Sequence, residues 1–88
     1  DLIILIKPQF EAGKKDVGKG GVVKNTDVHE RVIREVLEFS VGLGFGVRGL
    51  TTSPLKGPAG NIEFLAWLRL GDEVPENLDT WINSLTFG

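Results

Sequence analysis

Two charged residues stand at the ends of apolar segments, where a charge could do chemistry. Lys7 directly follows the apolar run 2–6, and Glu63 opens the apolar segment 62–70. A charge at the end of a buried strand is tolerated only if it is paired or hydrated. If the two segments lie antiparallel and adjacent, Lys7 and Glu63 share one rim, and we expect their charged groups to come within reach of one another. The pair is then either a rim salt bridge, which would stabilise little, or a catalytic lysine oriented by a glutamate.

Lysines concentrate in the glycine-rich segment that follows the first apolar run. Residues 7–24 carry a net charge of +3, whereas the whole chain has a net charge of −2. Such a cluster is either a solvated surface loop or a grip on a phosphate backbone. Because the segment leaves the end of a predicted sheet strand, where open α/β sheets bind ligands, the binding interpretation gains weight. The residues predicted to bind such a backbone are Lys14, Lys15, Lys19, Lys24 and, in the later loop 51–61, Lys56.

Residues 13–20 match the sequence pattern of a nucleotide-binding P-loop at every position but the last. The final position of that motif needs a Ser or Thr hydroxyl for magnesium, and Gly20 has none. A P-loop also opens a helix at its lysine, but here the next helical pattern begins only near Asp27. Gly42, Gly44 and Gly46 do not have the spacing of the dinucleotide-binding motif, and they lie after a predicted helix and before a predicted strand, which is the reverse of that motif's order. We therefore predict no nucleotide P-loop.

The hydrophobic pattern predicts an α/β arrangement. A strand at 2–6 is followed by a helix that starts at a capping box of Asp27 and Glu30 and ends near Gly42. A strand from Phe45 to about Leu50 completes a βαβ unit. The segment 62–70 is apolar on both faces, which predicts a central strand. We predict the spatial order first, last, middle, with the last strand antiparallel to both, and a short amphipathic helix formed by Leu78, Trp81, Ile82 and Leu85.

Composition narrows the class of protein. The chain has 88 residues, 41% hydrophobic and 25% charged, which is typical of one small globular domain. With no cysteine and one histidine, the sequence excludes a disulfide framework and predicts no metal site. Its apolar runs are too short for a bilayer, and it carries no secretion signal, so we expect no membrane partner and a cytoplasmic location. Because the chain has no methionine, even at its start, we expect it to be a segment of a longer protein.

Three stretches resemble the C-terminal part of one family over roughly residues 1–70. They are LIILIKPQFEAGKKDVGKGGVV, VHERVIREVLEF and SPLKGPAGNIEFLAWL. They are similar to the haemolysin-labelled TlyA family of FtsJ-like, S-adenosylmethionine-dependent RNA methyltransferases. The resemblance implies the C-terminal portion of a Rossmann-like sheet whose last strand is antiparallel and inserted between the two before it. It also implies a 2′-O-methyltransferase whose RNA partner is ribosomal.

The resemblance implies roles for two residues. The family's site is a Lys-Asp-Lys-Glu set, and by motif its second lysine falls on Lys7 and its glutamate on Glu63. The first lysine, the aspartate, the cofactor loop and a small RNA-binding domain would lie upstream of Asp1. We therefore expect residues 1–88 to bind S-adenosylmethionine negligibly and to be inactive alone. A lysine can accept the proton of a ribose 2′-hydroxyl when burial or a second cation lowers its pKa.

Two other functions stay open at this point. The chain could belong to an RNA-binding module without catalysis, or to a membrane-active haemolysin, although no amphipathic stripe of adequate length supports the latter. The apolar strand 2–6 would also lack the neighbour that the family places upstream. An unpaired, apolar strand edge recruits other chains, so we expect the isolated segment to self-associate through it.

Overall fold

The computed structural model describes residues 1–12, 17, 18, 20–71 and 78–85. Its strands are β1 (Leu2–Ile6), β2 (Phe45–Thr52) and β3 (Phe64–Leu70). Its helices are α1 (Pro8–Glu11), α2 (Thr26–Gly42) and α3 (Leu78–Asn83), and a 3₁₀ turn spans Pro58–Gly60. The predicted elements are thus present. The one-turn helix α1, which lacks a periodic apolar pattern, was not predicted.

The three strands form one sheet in the order β1-β3-β2. β3 is antiparallel to both neighbours, with Leu2 opposite Leu68 at one end of β1 and Ile6 opposite Phe64 at the other. The predicted order and directions are therefore confirmed. β3 carries apolar side chains on both faces and is the central strand of the sheet. The two facts agree, because a central strand lies deeper in the fold than an edge strand.

Helix α2 covers one face of the sheet. Its residues Val32, Ile33 and Leu37 are fully buried, and they pack in one core with Phe64, Ala66 and Leu68 of β3. Each large apolar side chain buried in this way contributes about 1.5–3 kcal/mol, which accounts for most of the attraction between helix and sheet. α3 closes the same side: Ile82 is 1% exposed and joins this core.

The start of α2 differs from the prediction. Its N-cap is Asn25, whose side-chain oxygen accepts a hydrogen bond from the Asp27 N–H at 2.8 Å. The predicted capping box at Asp27 and Glu30 is wrong, because Asn25 already satisfies a free N–H of the first turn. Asp27 instead lies inside that turn, where its negative charge meets the positive end of the helix dipole.

The opposite face of the sheet is open in the part of the chain that the structure describes. Ile3 is 66% exposed and Leu5 45% exposed, and they line up with Trp67 and Leu65 of β3. A continuous apolar run such as that of β1 is typical of a strand buried on both faces, but in β1 only Ile6 is buried. Within the described ranges, no helix is both long enough and apolar enough to span a bilayer.

Candidate active site

The sheet register brings the two predicted catalytic residues to one rim. Ile6, the last residue of β1, is paired with Phe64, the first residue of β3. Lys7 is the next residue along one strand and Glu63 the preceding residue along the other, so they leave the sheet at the same point. This follows from antiparallel pairing, in which the end of one strand meets the start of its neighbour.

Lys7 joins β1 to α1. It is the N-cap of that helix, and its carbonyl oxygen accepts hydrogen bonds from the N–H groups of Phe10 (2.9 Å) and Glu11 (3.2 Å). Pro8 occupies the first helical position, where its missing N–H costs nothing. The Lys7 ammonium lies 5.5 Å from the centroid of the Phe10 ring, within the range of a cation–π contact. The backbone on both sides of Lys7 is therefore fixed, while its side chain rests on an exposed aromatic ring.

Glu63 is a buried carboxylate, only 5% exposed. Its Oε2 accepts a hydrogen bond from Gln9 Nε2 at 2.8 Å, and its backbone carbonyl accepts one from the Ser53 N–H at 2.8 Å. Among the described residues, no ion pair joins the Glu63 carboxylate to the Lys7 ammonium. The two residues share the expected rim, but the expected direct contact between their charged groups is not formed in this structure.

Asn61 fixes the loop that leads to Glu63. It is 2% exposed, and its Nδ2 donates hydrogen bonds to the carbonyl oxygens of Gly21 and Pro58, both at 2.8 Å. Its Oδ1 accepts one from the Val23 N–H at 2.9 Å. One amide side chain thus joins the segment after β2 to the segment before α2. In that loop Ala59 has φ 58°, a left-handed conformation that costs a residue with a Cβ some free energy.

Two of the predicted RNA-binding lysines line one cavity. Lys24 and Lys56 are exposed and border a cavity of about 450 Å³ together with Ala59 and Gly60. They come from loops that lie far apart in the chain, and the Asn61 hydrogen bonds hold those loops together. Lys14, Lys15 and Lys19 lie outside the described residues.

His29 lies beneath this cavity. It is 1% exposed, its Nε2 donates a hydrogen bond to the Val23 carbonyl at 2.9 Å, and its ring meets the Phe64 ring edge to face at 5.7 Å. Burial lowers the pKa of His29 below its ordinary value of 6.5, and the hydrogen bond to Val23 opposes that shift in part. At neutral pH the ring is therefore uncharged and serves as a donor to the loop.

Sequence reasoning missed three residues of this region: Gln9, Gly57 and Asn61. Gln9 binds Glu63, Gly57 lies against the Glu63 carboxylate, and Asn61 holds the loop. The signal that could have found Gln9 is its place two residues after Lys7, inside the first turn of a helix opened by a proline. Asn61 adjoins the apolar segment that carries Glu63, and a polar residue there needs partners.

Known proteins resemble this chain. YqxC of Bacillus subtilis, named as an rRNA methyltransferase, is 44% identical over 82 residues, which are 86% of this chain and 29% of YqxC. TlyA of Mycobacterium tuberculosis, a 16S/23S rRNA (cytidine-2′-O)-methyltransferase, is 45% identical over 69 residues, which are 78% of this chain and 26% of TlyA. The chain thus spans less than a third of either relative.

A solved structure and a family model agree with these relatives. The crystal structure of a hemolysin-labelled protein from Lactococcus lactis superposes with a TM-score of 0.78 at 45% identity, over 92% of this chain and 40% of that one. The model of the FtsJ-like methyltransferases matches residues 1–70, which contain the whole sheet, Lys7 and Glu63. The chain belongs to the FtsJ-like methyltransferase family.

Proposed function

We propose that Lys7 and Glu63 form part of the catalytic site of an S-adenosylmethionine-dependent RNA 2′-O-methyltransferase that acts on ribosomal RNA. The observation that carries the proposal is the sheet register, which brings Lys7 and a buried Glu63 to one rim in a methyltransferase family. The similarity to TlyA, an rRNA (cytidine-2′-O)-methyltransferase, supports this reaction and this class of RNA.

In this proposal Lys7 and Glu63 have different roles. A ribose 2′-hydroxyl is a weak nucleophile and must lose its proton as its oxygen attacks a methyl group. Lys7 is the general base that receives that proton. Glu63 holds the lysine and the sugar in register, as carboxylates orient the base in other catalytic sets. Both residues leave the sheet at the same point of the rim, which allows both to act on one nucleotide once RNA is bound.

The family uses S-adenosylmethionine, which supplies the reactive methyl group. The described residues do not fit the cofactor. β1 passes through Lys7 directly into the four-residue helix α1, with no glycine-rich turn between strand and helix to approach a nucleotide. We propose that 1–88 is the C-terminal portion of a methyltransferase domain whose cofactor-binding half lies upstream, and that the isolated segment transfers no methyl group.

The RNA surface in this proposal includes Lys24 and Lys56 on their shared cavity. Two exposed ammonium groups from separate loops can bind successive phosphates, and glycines in the same loops let the RNA backbone approach closely. We include Lys14, Lys15 and Lys19 in this surface because they belong to the same basic segment.

The test uses the full-length protein that carries this segment, with S-adenosylmethionine and ribosomal RNA. Lys7→Ala should lower turnover by ~10²–10⁴, the usual range for a general acid or base. Lys7→Arg is the matched control: it keeps the positive charge but cannot serve as a base, so it should lose the same activity while RNA affinity stays unchanged. Lys24→Ala should instead weaken RNA binding and spare turnover at saturating RNA.

The results can contradict the proposal in two ways. If Lys7→Ala lowers only RNA affinity and turnover remains, Lys7 is a binding residue and not the base. If the wild-type protein binds RNA but methylates none, and Lys7→Ala binds equally well, an RNA-binding module without catalysis replaces the enzyme.

A further inference from the structure

The Glu63 carboxylate lies in a recess that two other residues shape. Gln9 Nε2 donates a hydrogen bond to its Oε2 at 2.8 Å, and the backbone of Gly57 lies against the same oxygen. Glu63 is 5% exposed, so its carboxylate has little water to replace these contacts. A buried carboxylate depends on such neighbours, because an ionised group without partners is costly to bury.

Position 57 needs a glycine because there is no space for a Cβ, and not because the backbone conformation excludes other residues. Its φ of −79° and ψ of −168° are extended values that any residue adopts. A Cβ at this position, however, would overlap the Glu63 carboxylate and would lie 2.5 Å from its carboxyl carbon. The backbone on either side cannot easily yield: the Gly57 N–H donates to the Asn61 carbonyl at 2.8 Å, and the Ser53 N–H donates to the Glu63 carbonyl at 2.8 Å. The part that can yield is the far end of the Glu63 side chain, so a side chain at 57 would push the carboxylate out of place.

Gln9 approaches the same carboxylate from α1. Its position relative to Lys7 is fixed by the helical turn in which the Lys7 carbonyl accepts from Phe10 and Glu11. Its Nε2 is committed to Glu63, whereas its Oε1 is buried and has no hydrogen-bond partner among the described residues.

We propose that Gln9 and Gly57 are positioning residues for Glu63. Gln9 holds the carboxylate through one hydrogen bond, and Gly57 provides the space that the carboxylate occupies. Together they fix its place relative to Lys7 across the rim. This inference rests on the proposed catalytic role of Glu63, and neither residue is proposed to touch the reacting atoms.

The experiment measures kcat and KM of the full-length methyltransferase with S-adenosylmethionine and ribosomal RNA. Gln9→Met keeps the length of the side chain but removes the donor, and Gly57→Ala adds one Cβ. Each should lower kcat by about 10- to 100-fold, as expected for a carboxylate displaced by about 1 Å, with both KM values changed less than about twofold. The matched control is Gly42→Ala: Gly42 ends α2, has an ordinary φ and has open space around its Cβ position, so its kcat should be unchanged.

A second set of variants separates positioning from general damage. In a Glu63→Ala background there is no carboxylate to position, so Gln9→Met and Gly57→Ala should have no further effect on kcat. If either lowers kcat by the same factor with and without the carboxylate, or if both leave kcat at the wild-type value while Glu63→Ala lowers it, the positioning role is refuted. Wild-type kcat in Glu63→Ala would instead refute the proposed role of Glu63 itself. If Gly57→Ala does not fold, Gln9→Met decides the question alone.

Discussion

Replacement of Asn61 by aspartate should destabilise the fold far more than its small chemical change suggests. Asn61→Asp keeps the shape of the side chain and the oxygen that accepts from the Val23 N–H, but it replaces the Nδ2 donor by a second acceptor. The carbonyl oxygens of Gly21 and Pro58, each 2.8 Å from Nδ2, would then face a carboxylate oxygen. Two hydrogen bonds disappear, and two part-buried carbonyl oxygens are left without this donor and next to a negative charge.

The expected loss follows from these hydrogen bonds. A hydrogen bond contributes about 1 kcal/mol net, and a polar group left unpaired costs about 1–3 kcal/mol when it is buried. The two carbonyl oxygens are part-buried, so the lower part of that range, about 1–2 kcal/mol each, applies to them. Asn61→Asp should therefore lower the free energy of unfolding by about 2–4 kcal/mol, or Tm by about 5–15 °C in a domain of 150–250 residues. Burial and the facing carbonyls raise the pKa of the introduced carboxyl. The folded state then binds the proton more tightly than the unfolded state, so part of the loss should be recovered as pH falls.

Urea and thermal unfolding of the full-length protein at pH 7.5 measure this loss, and the chain offers a matched control. Asn25→Asp makes the same chemical change at the N-cap of α2, where only the side-chain oxygen is used, at 2.8 Å from the Asp27 nitrogen. Aspartate caps a helix as well as asparagine does, so the control should change stability by less than about 0.5 kcal/mol. If the two variants unfold at the same midpoint, the amide of Asn61 is not what joins the two loops.

Three further predictions concern pH, salt and association. Because burial lowers the pKa of His29 in the folded state, stability should be full above about pH 6.5 and should fall below it by at most about 1.4 kcal/mol per pH unit. His29→Gln can still donate to the Val23 carbonyl but does not titrate, so its urea unfolding midpoint should change less with pH between pH 5 and 6.5 than that of the wild type. An unchanged pH dependence would show that His29 does not cause the loss of stability. Replacing Lys24 and Lys56 by alanine should reduce the slope of log K for RNA against log salt by ~0.7–0.9 for each phosphate that is no longer neutralised, whereas arginine at both positions should keep it. If the alanine and the arginine variants have equal slopes, Lys24 and Lys56 are solvated surface residues that do not bind RNA phosphates. Finally, β1 is an edge strand with Ile3 66% exposed, so the isolated 88-residue segment should sediment as an associated species, and Ile3→Lys should shift it toward the monomer. Micromolar binding of S-adenosylmethionine by a monomeric wild-type segment, measured by calorimetric titration, would show that the segment is not the incomplete part of a domain.

The sequence alone determined the three strands with their order in the sheet, and the helices α2 and α3. The period of apolar residues between Asp27 and Gly42 indicated a helix with one buried face, and Val32, Ile33 and Leu37 are the most buried apolar residues of α2. The apolar residues on both faces of 62–70 indicated a central strand, and β3 (Phe64–Leu70) is central. These predictions succeed because apolar residues recur along the chain with the period of the element that buries them, about 3.6 residues in a helix and 2 in a strand.

The shared rim of Lys7 and Glu63 was also predictable, because antiparallel pairing relates the end of one strand to the start of the next. Only the tertiary structure decided what surrounds the carboxylate. Gln9 and Gly57 reach Glu63 from segments that are 54 and six residues away, and nothing in their local patterns encodes that meeting. Hydrogen-bond partners of this kind depend on distances of a few tenths of an ångström between side chains. Such distances are set by the packing of α2 against the sheet and by the Asn61 hydrogen bonds between loops, and not by the residue types themselves.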